Sequence, residues 1–151
     1  MKRLLAFATF LSWVSIASAD PTLIGQWISD RDASPAFNEK HVRFQAKTAD
    51  FLKDAMGRLV VNFKADNVSY DLPNFTTTIE GKKFPIAGYS ETHPYTVVAT
   101  TPNSVAIRTI EPVSHEPVVV VYNFVTPDSF WIYAGNSGSH VREYFKRVEA
   151  K

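Results

Sequence analysis

The chain has 151 residues, of which 45% are hydrophobic, 13% aromatic and 21% charged, and it contains no cysteine. This length suits a single domain, and the absence of cysteine excludes disulfide scaffolds, thiolate metal sites, cysteine nucleophiles and iron–sulfur clusters. A formal net charge of +1 without a basic run offers no electrostatic footprint for nucleic acid, and the aromatic content excludes a disordered tail.

The first residues have the layout of a secretory signal peptide. A basic start at residues 2–3 precedes an apolar run over residues 4–16, and residues 17–19 offer a small-x-small cleavage site. The run is too short to span a bilayer comfortably, so we expect no stable membrane anchor. We predict a signal peptide over residues 1–19 with cleavage after Ala19, a mature domain over residues 20–151, and a periplasmic or secreted location.

A first strand is predicted over residues 23–28, and the segment after it takes the period of a helix. Between Phe44 and Ala55 apolar and small residues recur at helical spacing, with charged residues on the other side. Ser34-Pro35 forms a suitable start and Gly57 a stop. We therefore predict an amphipathic helix, or two short ones, over residues 34–56.

From residue 58 onward the pattern is that of β-strands separated by tight turns. Alternating runs recur at a spacing of about ten residues, and the long run over residues 89–100 has a break point at His93-Pro94. A meander of this length removes its unpaired edges most simply by closing on itself. The predicted fold is mainly β: an antiparallel up-and-down β-barrel of about nine or ten strands, with a helical segment between strands 1 and 2.

Both ends of the mature chain carry residues of a known superfamily. Gly25 and Trp27 on the first strand, with Arg147 on the last, resemble the calycin superfamily, which contains the lipocalins and the fatty-acid-binding proteins. In lipocalins the tryptophan closes the bottom of the barrel and a late arginine packs across it. The resemblance therefore implies barrel closure by Trp27 and Arg147, through a cation–π contact worth ~0.5–2 kcal/mol.

In layout the chain is similar to the fatty-acid-binding branch, which inserts a helical lid between its first two strands and ends in an Arg-x-Tyr pair that grips the ligand's carboxylate. Arg142 and Tyr144 match that pair and share one face of the last strand, and Arg108 is a second candidate cation. Arg142 and Arg147 are five positions apart, so on a regular strand their side chains point to opposite faces. Both can face inward only if a β-bulge lies between them. An outward Arg142, paired with a neighbouring carboxylate, is the alternative.

A hollow barrel would hold an apolar ligand against its aromatic lining. We expect that lining to include Phe63, Tyr70 and Tyr95, with the segment from Phe44 to Met56 covering the end opposite Trp27. The expected function is an exported small-molecule-binding protein for an apolar, fatty-acid-like ligand. The alternative is a protein-interaction or inhibitor module of the same fold without a small ligand. A barrel filled by its own side chains also stays open.

Metal and enzyme chemistry have weak signals in this sequence. Of the histidines His41, His93, His115 and His140, none lies at metal-ligand spacing with another. Glu91 shares a strand face with His93, but two residues do not define a site, so we predict no metal. The sequence has no Gly-x-Ser-x-Gly elbow and no glycine-rich phosphate loop. We expect a binding protein without cofactor rather than an enzyme.

Overall fold

The computed structural model describes residues 21–135 and 140–149, so the predicted signal peptide lies outside the described residues. None of the described helices is long and apolar enough to cross a membrane. In chain order the elements are β1 (Gly25–Ser29), α1 (Ala33–His41), α2 (Ala46–Ala55), β2 (Val60–Phe63), β3 (Asn67–Leu72), β4 (Phe75–Ile79), β5 (Lys82–Ile86), β6 (Tyr89–Pro94), β7 (Thr96–Thr101), β8 (Ser104–Ile110), β9 (Pro117–Thr126), β10 (Ser129–Tyr133) and β11 (Arg142–Arg147).

Nine of the strands in the described residues form one antiparallel sheet in the order β6-β3-β2-β1-β11-β10-β9-β8-β7, which curls into a nearly closed barrel. The remaining two, β4 and β5, form a separate hairpin. The two outer strands of the sheet belong to one run of chain, since β6 ends at Pro94 and β7 begins at Thr96. This bent run pairs first with β3 and then with β8. The predicted antiparallel barrel, with its helical segment between the first two strands, is confirmed.

The sequence allowed either one amphipathic helix or two short ones over residues 34–56, and the structure has two short helices. Ser34-Pro35 lies in the first turn of α1, where the missing amide of proline breaks no helical hydrogen bond. Gly57 follows α2 with φ +87°, a conformation that L side chains rarely adopt. A Cβ at this position would lie 2.5 Å from the Cβ of Arg31, so the turn out of α2 requires glycine.

The two segments outside the barrel sheet, the helical pair and the β4–β5 hairpin, are both inserted at the same end of the barrel. The helices connect the end of β1 to the start of β2, and the β4–β5 hairpin connects the end of β3 to the start of β6. The antiparallel registers place these four strand ends together, and we call this the upper end of the barrel. The helix α2 packs on β4, with the rings of Phe51 and Phe75 centred 6.3 Å apart. The amide of Thr78 also donates to the carboxylate of Asp54 over 2.9 Å.

The lower half of the barrel is filled by aromatic rings. Centroid distances are 4.5 Å from Trp27 to Phe130, 5.1 Å from Phe130 to Phe145 and 5.3 Å from Phe63 to Tyr122. Each of these side chains is at most 3% exposed. We call this cluster the ring floor: Trp27, Phe63, Tyr122, Phe130 and Phe145. It excludes a ligand from the lower half, because packed rings leave no space for one.

Candidate functional site

Above the ring floor, side chains on the inner face of the strands keep partial solvent exposure. On β2, β9, β10 and β11 they alternate in step with buried residues, so they point inward. Those of β6 lie opposite the inner face of β3, where Tyr70 is buried and pairs with Glu91. Their exposed surface therefore lies on the inner side of the wall, toward the upper end. We call this part of the inner face the barrel mouth, and its residues are Leu59, Tyr89, Glu91, Val120, Ile132 and Glu143.

Glu143 is one of the two acidic groups of the barrel mouth. Its carboxylate accepts a hydrogen bond from the hydroxyl of Ser29 over 2.5 Å, and that hydroxyl accepts one from the amide of Gly57 over 2.8 Å. Burial raises the pKa of Glu143 above its ordinary value of 4.5, although the Ser29 hydrogen bond lowers it in part. The site therefore holds a carboxyl group that keeps its proton to a higher pH than an exposed glutamate does.

The pKa of Tyr89 is raised by burial and by nearby acidic side chains. Burial first, and then the negative charges of Glu143 and Glu111, raise the pKa of its phenol to about 12. Two carboxylates and a phenol line the barrel mouth, and none of its residues is a lysine or an arginine. The polar part of the barrel mouth is thus suited to a cation or a hydrogen-bond donor.

Glu91 of the barrel mouth also meets two histidines, and we call these three potential metal ligands the seam cluster: Glu91, His93 and His115. Glu91 and His93 project from the inner face of β6, and the Glu91 carboxylate lies 2.8 Å from Nε2 of His93. His115 arrives from the loop between β8 and β9, with its Nδ1 3.6 Å from the same carboxylate. One potential ligand atom from each residue lies within 4.8 Å of the other two.

The loop that carries His115 is held by its own hydrogen bonds. The carboxylate of Glu111 accepts from the amides of Val113 and Ser114, and the backbone of Glu111 bonds to His115 and Glu116 over 2.9 Å in each case. His115 itself has φ +58°, a left-handed conformation that is uncommon for residues other than glycine. The loop geometry, rather than the sheet, thus determines the position of this imidazole.

The structure places Arg142 and Tyr144, the pair predicted to hold the ligand's carboxylate, on the outside of the barrel wall. Glu143 and Phe145 of β11 face inward, so Arg142 and Tyr144 face outward. The Arg142 guanidinium stacks between Phe37 of α1 and Trp131 of β10, 4.4 and 3.8 Å from the two ring centroids. Tyr144 also contacts Phe37, with ring centroids 5.8 Å apart. The two residues therefore lie together, separated by the wall from the barrel mouth.

The other predicted ligand-binding residues divide between the two faces. Phe63 and Tyr70 face inward and are buried, and Phe63 belongs to the ring floor. Tyr95 is half-buried at the bend between β6 and β7, where its hydroxyl donates to the carbonyl of Lys64 over 2.7 Å. Arg108 is exposed and lies on the outer face of β8.

The closure pair implied by the resemblance is in contact. The Arg147 guanidinium lies 4.1 Å from the ring of Trp27. It donates to the carbonyl of Ile24 over 2.8 Å and to the carboxylate of Asp128 over 2.8 Å. Because β10 and β11 pair in regular register from Arg142 to Lys146, no bulge reverses the parity, and Arg147 alone of the two arginines faces the interior.

The seam cluster is the part of the site that the sequence did not predict. Glu91 and His93 share a face by strand parity, which was visible in the sequence, but His115 joins them only because its loop folds back against β6. No spacing rule connects a loop histidine to a strand so far away in the chain.

No family model, curated protein or solved structure matches the chain. The nearly closed antiparallel barrel with two helices is compatible with a calycin-like fold.

Proposed function

We propose that this protein binds a small molecule in the barrel mouth, as the resemblance to calycins implies. One observation carries this proposal: on the same strands, inner-face side chains are buried in the ring floor but partly exposed above it. Leu59, Val120 and Ile132 supply apolar walls, and Tyr89 and Glu143 supply polar groups. A concave apolar site with a few convergent polar groups is the usual form of a small-molecule site.

The charge of the barrel mouth favours a different ligand head group from the one that the sequence suggested. A fatty-acid carboxylate there would meet Glu91 and Glu143, and like charges at close range disfavour binding. Arg142, which was expected to grip that carboxylate, contacts Phe37 and Trp131 instead. We therefore propose an apolar ligand with an amine-like, cationic head group. The predicted signal peptide makes the periplasm or the medium the proposed location.

A displacement assay with two matched amphiphiles tests this proposal. Purified protein in EDTA is loaded with the neutral dye Nile red, which is then displaced by decylamine or by decanoate below their micelle concentrations. We expect decylamine to act at about tenfold lower concentration, a difference of ~1.4 kcal/mol. The variant Glu143→Gln should lose most of this preference, whereas Glu149→Gln, at an exposed site near the C-terminus, should keep it.

The pH dependence of the preference adds a second readout. Because the pKa of Glu143 is raised above 4.5, this carboxyl is still protonated where an ordinary glutamate is already ionised. The preference for decylamine should therefore grow as the pH rises through the raised pKa. This growth should be smaller in Glu143→Gln, where the ionisation of decanoate itself remains as a contribution. Equal displacement by both amphiphiles contradicts the head-group proposal. No displacement by either contradicts small-molecule binding and leaves the protein-interaction module as the remaining class.

A further inference from the structure

We propose that the seam cluster, Glu91, His93 and His115, binds one divalent transition-metal ion of the zinc type. This inference goes beyond the proposed function and does not rest on it, because these side chains meet whether or not an amphiphile occupies the barrel mouth. It also departs from the expectation of no metal, which rested on spacing along the chain.

The distances within the cluster suit a metal ion. Ligand atoms bound to zinc at about 2.0–2.2 Å lie about 3.4 Å apart around a tetrahedron. The Glu91 carboxylate is 2.8 Å from His93 Nε2 and 3.6 Å from His115 Nδ1, on either side of that value. With all three atoms within 4.8 Å of one another, small side-chain rotations are enough to surround an ion.

The chemistry of the cluster narrows the choice of metal. Two imidazoles and one carboxylate form a set of nitrogen and oxygen ligands typical of zinc and related transition metals, whereas calcium and magnesium prefer oxygen ligands alone. The His93 side chain is 17% exposed and that of His115 is 63% exposed, so the cluster is buried on one side and open on the other. Three protein ligands then leave a fourth position for water or another small ligand.

The cluster lies where the two edges of the sheet meet, so a metal ion bound there would affect the closure of the barrel. Among the described strands, β6 and β8 form no ladder with each other, and we call the gap between them the seam. The hydroxyl of Thr109 on β8 bridges it by donating to the carbonyl of Pro94 over 3.1 Å. Glu91 and His93 stand on the β6 side, whereas His115 comes from the loop that follows β8. A shared metal ion would therefore join the two sides of the seam and stabilise the closed barrel.

The surroundings of the cluster favour a cation and hold the loop ligand in place. Glu111 anchors the turn of His115 through the amides of Val113 and Ser114. Its negative charge adds to that of Glu91 at this end of the barrel. A left-handed residue such as His115 costs conformational free energy, and such residues concentrate at functional sites.

Calorimetric titration with zinc tests the inference. Tag-free protein is stripped with EDTA, dialysed and titrated with ZnCl₂ in the absence of amphiphile. We expect one ion per chain, and a loss of affinity of about tenfold or more in His93→Ala and in His115→Ala. Zinc should also raise the unfolding temperature of the wild type, because the ion binds only the folded site, and should not raise that of His115→Ala.

The matched control is His41→Ala, a histidine on α1 whose ring stacks on Phe37 with centroids 4.5 Å apart. It should bind zinc as the wild type does. Because His115 is exposed on a loop, its variant should keep the wild-type circular dichroism spectrum, so weaker binding reports the ligand itself. The inference is overturned if the wild type binds no zinc, if His115→Ala binds it unchanged, or if His41→Ala weakens binding equally. None of these results depends on Nile red displacement.

Discussion

Arg147 shows how one side chain can explain a sequence motif at the other end of the chain. Its guanidinium covers Trp27 and reaches the carbonyl of Ile24. Gly25 has φ +121°, and a Cβ there would lie 2.8 Å from Nη1 of Arg147. Glycine two residues before Trp27 therefore gives the guanidinium its space, which is the physical content of the Gly-x-Trp pattern in this protein.

At this scale we predict that Arg147→Ala lowers the free energy of unfolding by about 2 kcal/mol, because the cation–π contact and the charged hydrogen bonds are both lost. Urea denaturation followed by tryptophan fluorescence measures the change. The control is Lys146→Ala, whose exposed side chain has only a 3.9 Å ion pair with Asp30. It should change stability by less than about 0.5 kcal/mol. Equal effects of the two variants would contradict a specific role for Arg147.

At the scale of elements, α1 takes the place of a strand. The strand β11 pairs with β10 from Arg142 onward, but β1 reaches it only from Phe145 to Arg147. Beyond that point side chains of α1 complete the edge of β11. Asn38 donates to the carbonyl of Arg142 over 2.7 Å and accepts from its amide over 2.9 Å. The hydroxyl of Ser34 accepts from the amide of Tyr144 over 2.8 Å.

Because Asn38 satisfies both backbone groups of Arg142, Asn38→Ala leaves a donor and an acceptor unpaired at a site where Asn38 is only 3% exposed. We expect this variant to lower the free energy of unfolding by about 2–3 kcal/mol. The neighbouring exposed residue supplies the control, since Glu39→Ala keeps the helix and touches neither bond. Chemical denaturation compares the two, and a loss below about 0.5 kcal/mol in Asn38→Ala would show that α1 does not support β11.

At the scale of the whole molecule, the central strands of the sheet are buried and paired on both sides, whereas the edge strand β7 is exposed and paired on one side. The strands β1 and β11 lie in the middle of the sheet and carry Trp27 and Phe145 of the ring floor. The strand β7 lies at its edge, pairs only with β8 among the described strands, and has every residue exposed. Local opening should begin where fewest apolar contacts and ladder bonds oppose it.

We therefore predict that amide hydrogens of β7 exchange with solvent well before those of β1 and β11. Hydrogen–deuterium exchange followed by mass spectrometry of peptides covers all three strands in one experiment. The comparison with β10, which is paired on both sides, serves as the internal control. Uniform protection across the sheet would mean that the seam is as stable as the laddered part of the barrel.

The sequence by itself determined the properties that depend on near neighbours in the chain. The period-2 runs predicted the strands and the change of period predicted the helical segment, because these patterns follow from local backbone geometry. Strand parity also showed that Arg142 and Arg147 could not both face inward without a bulge. The Gly25, Trp27 and Arg147 pattern was enough to suggest a closed end.

The tertiary structure decided which face of each strand is inside and which distant groups meet. Alternation defines two faces but not the inner one, so only the pairing of β11 with β1 and β10 placed Glu143 inside and Arg142 outside. The filling of the lower half depends on how rings from five different strands interlock, and the seam cluster depends on a loop folding across a gap in the sheet. Such contacts join residues far apart in the chain, and no local pattern specifies them.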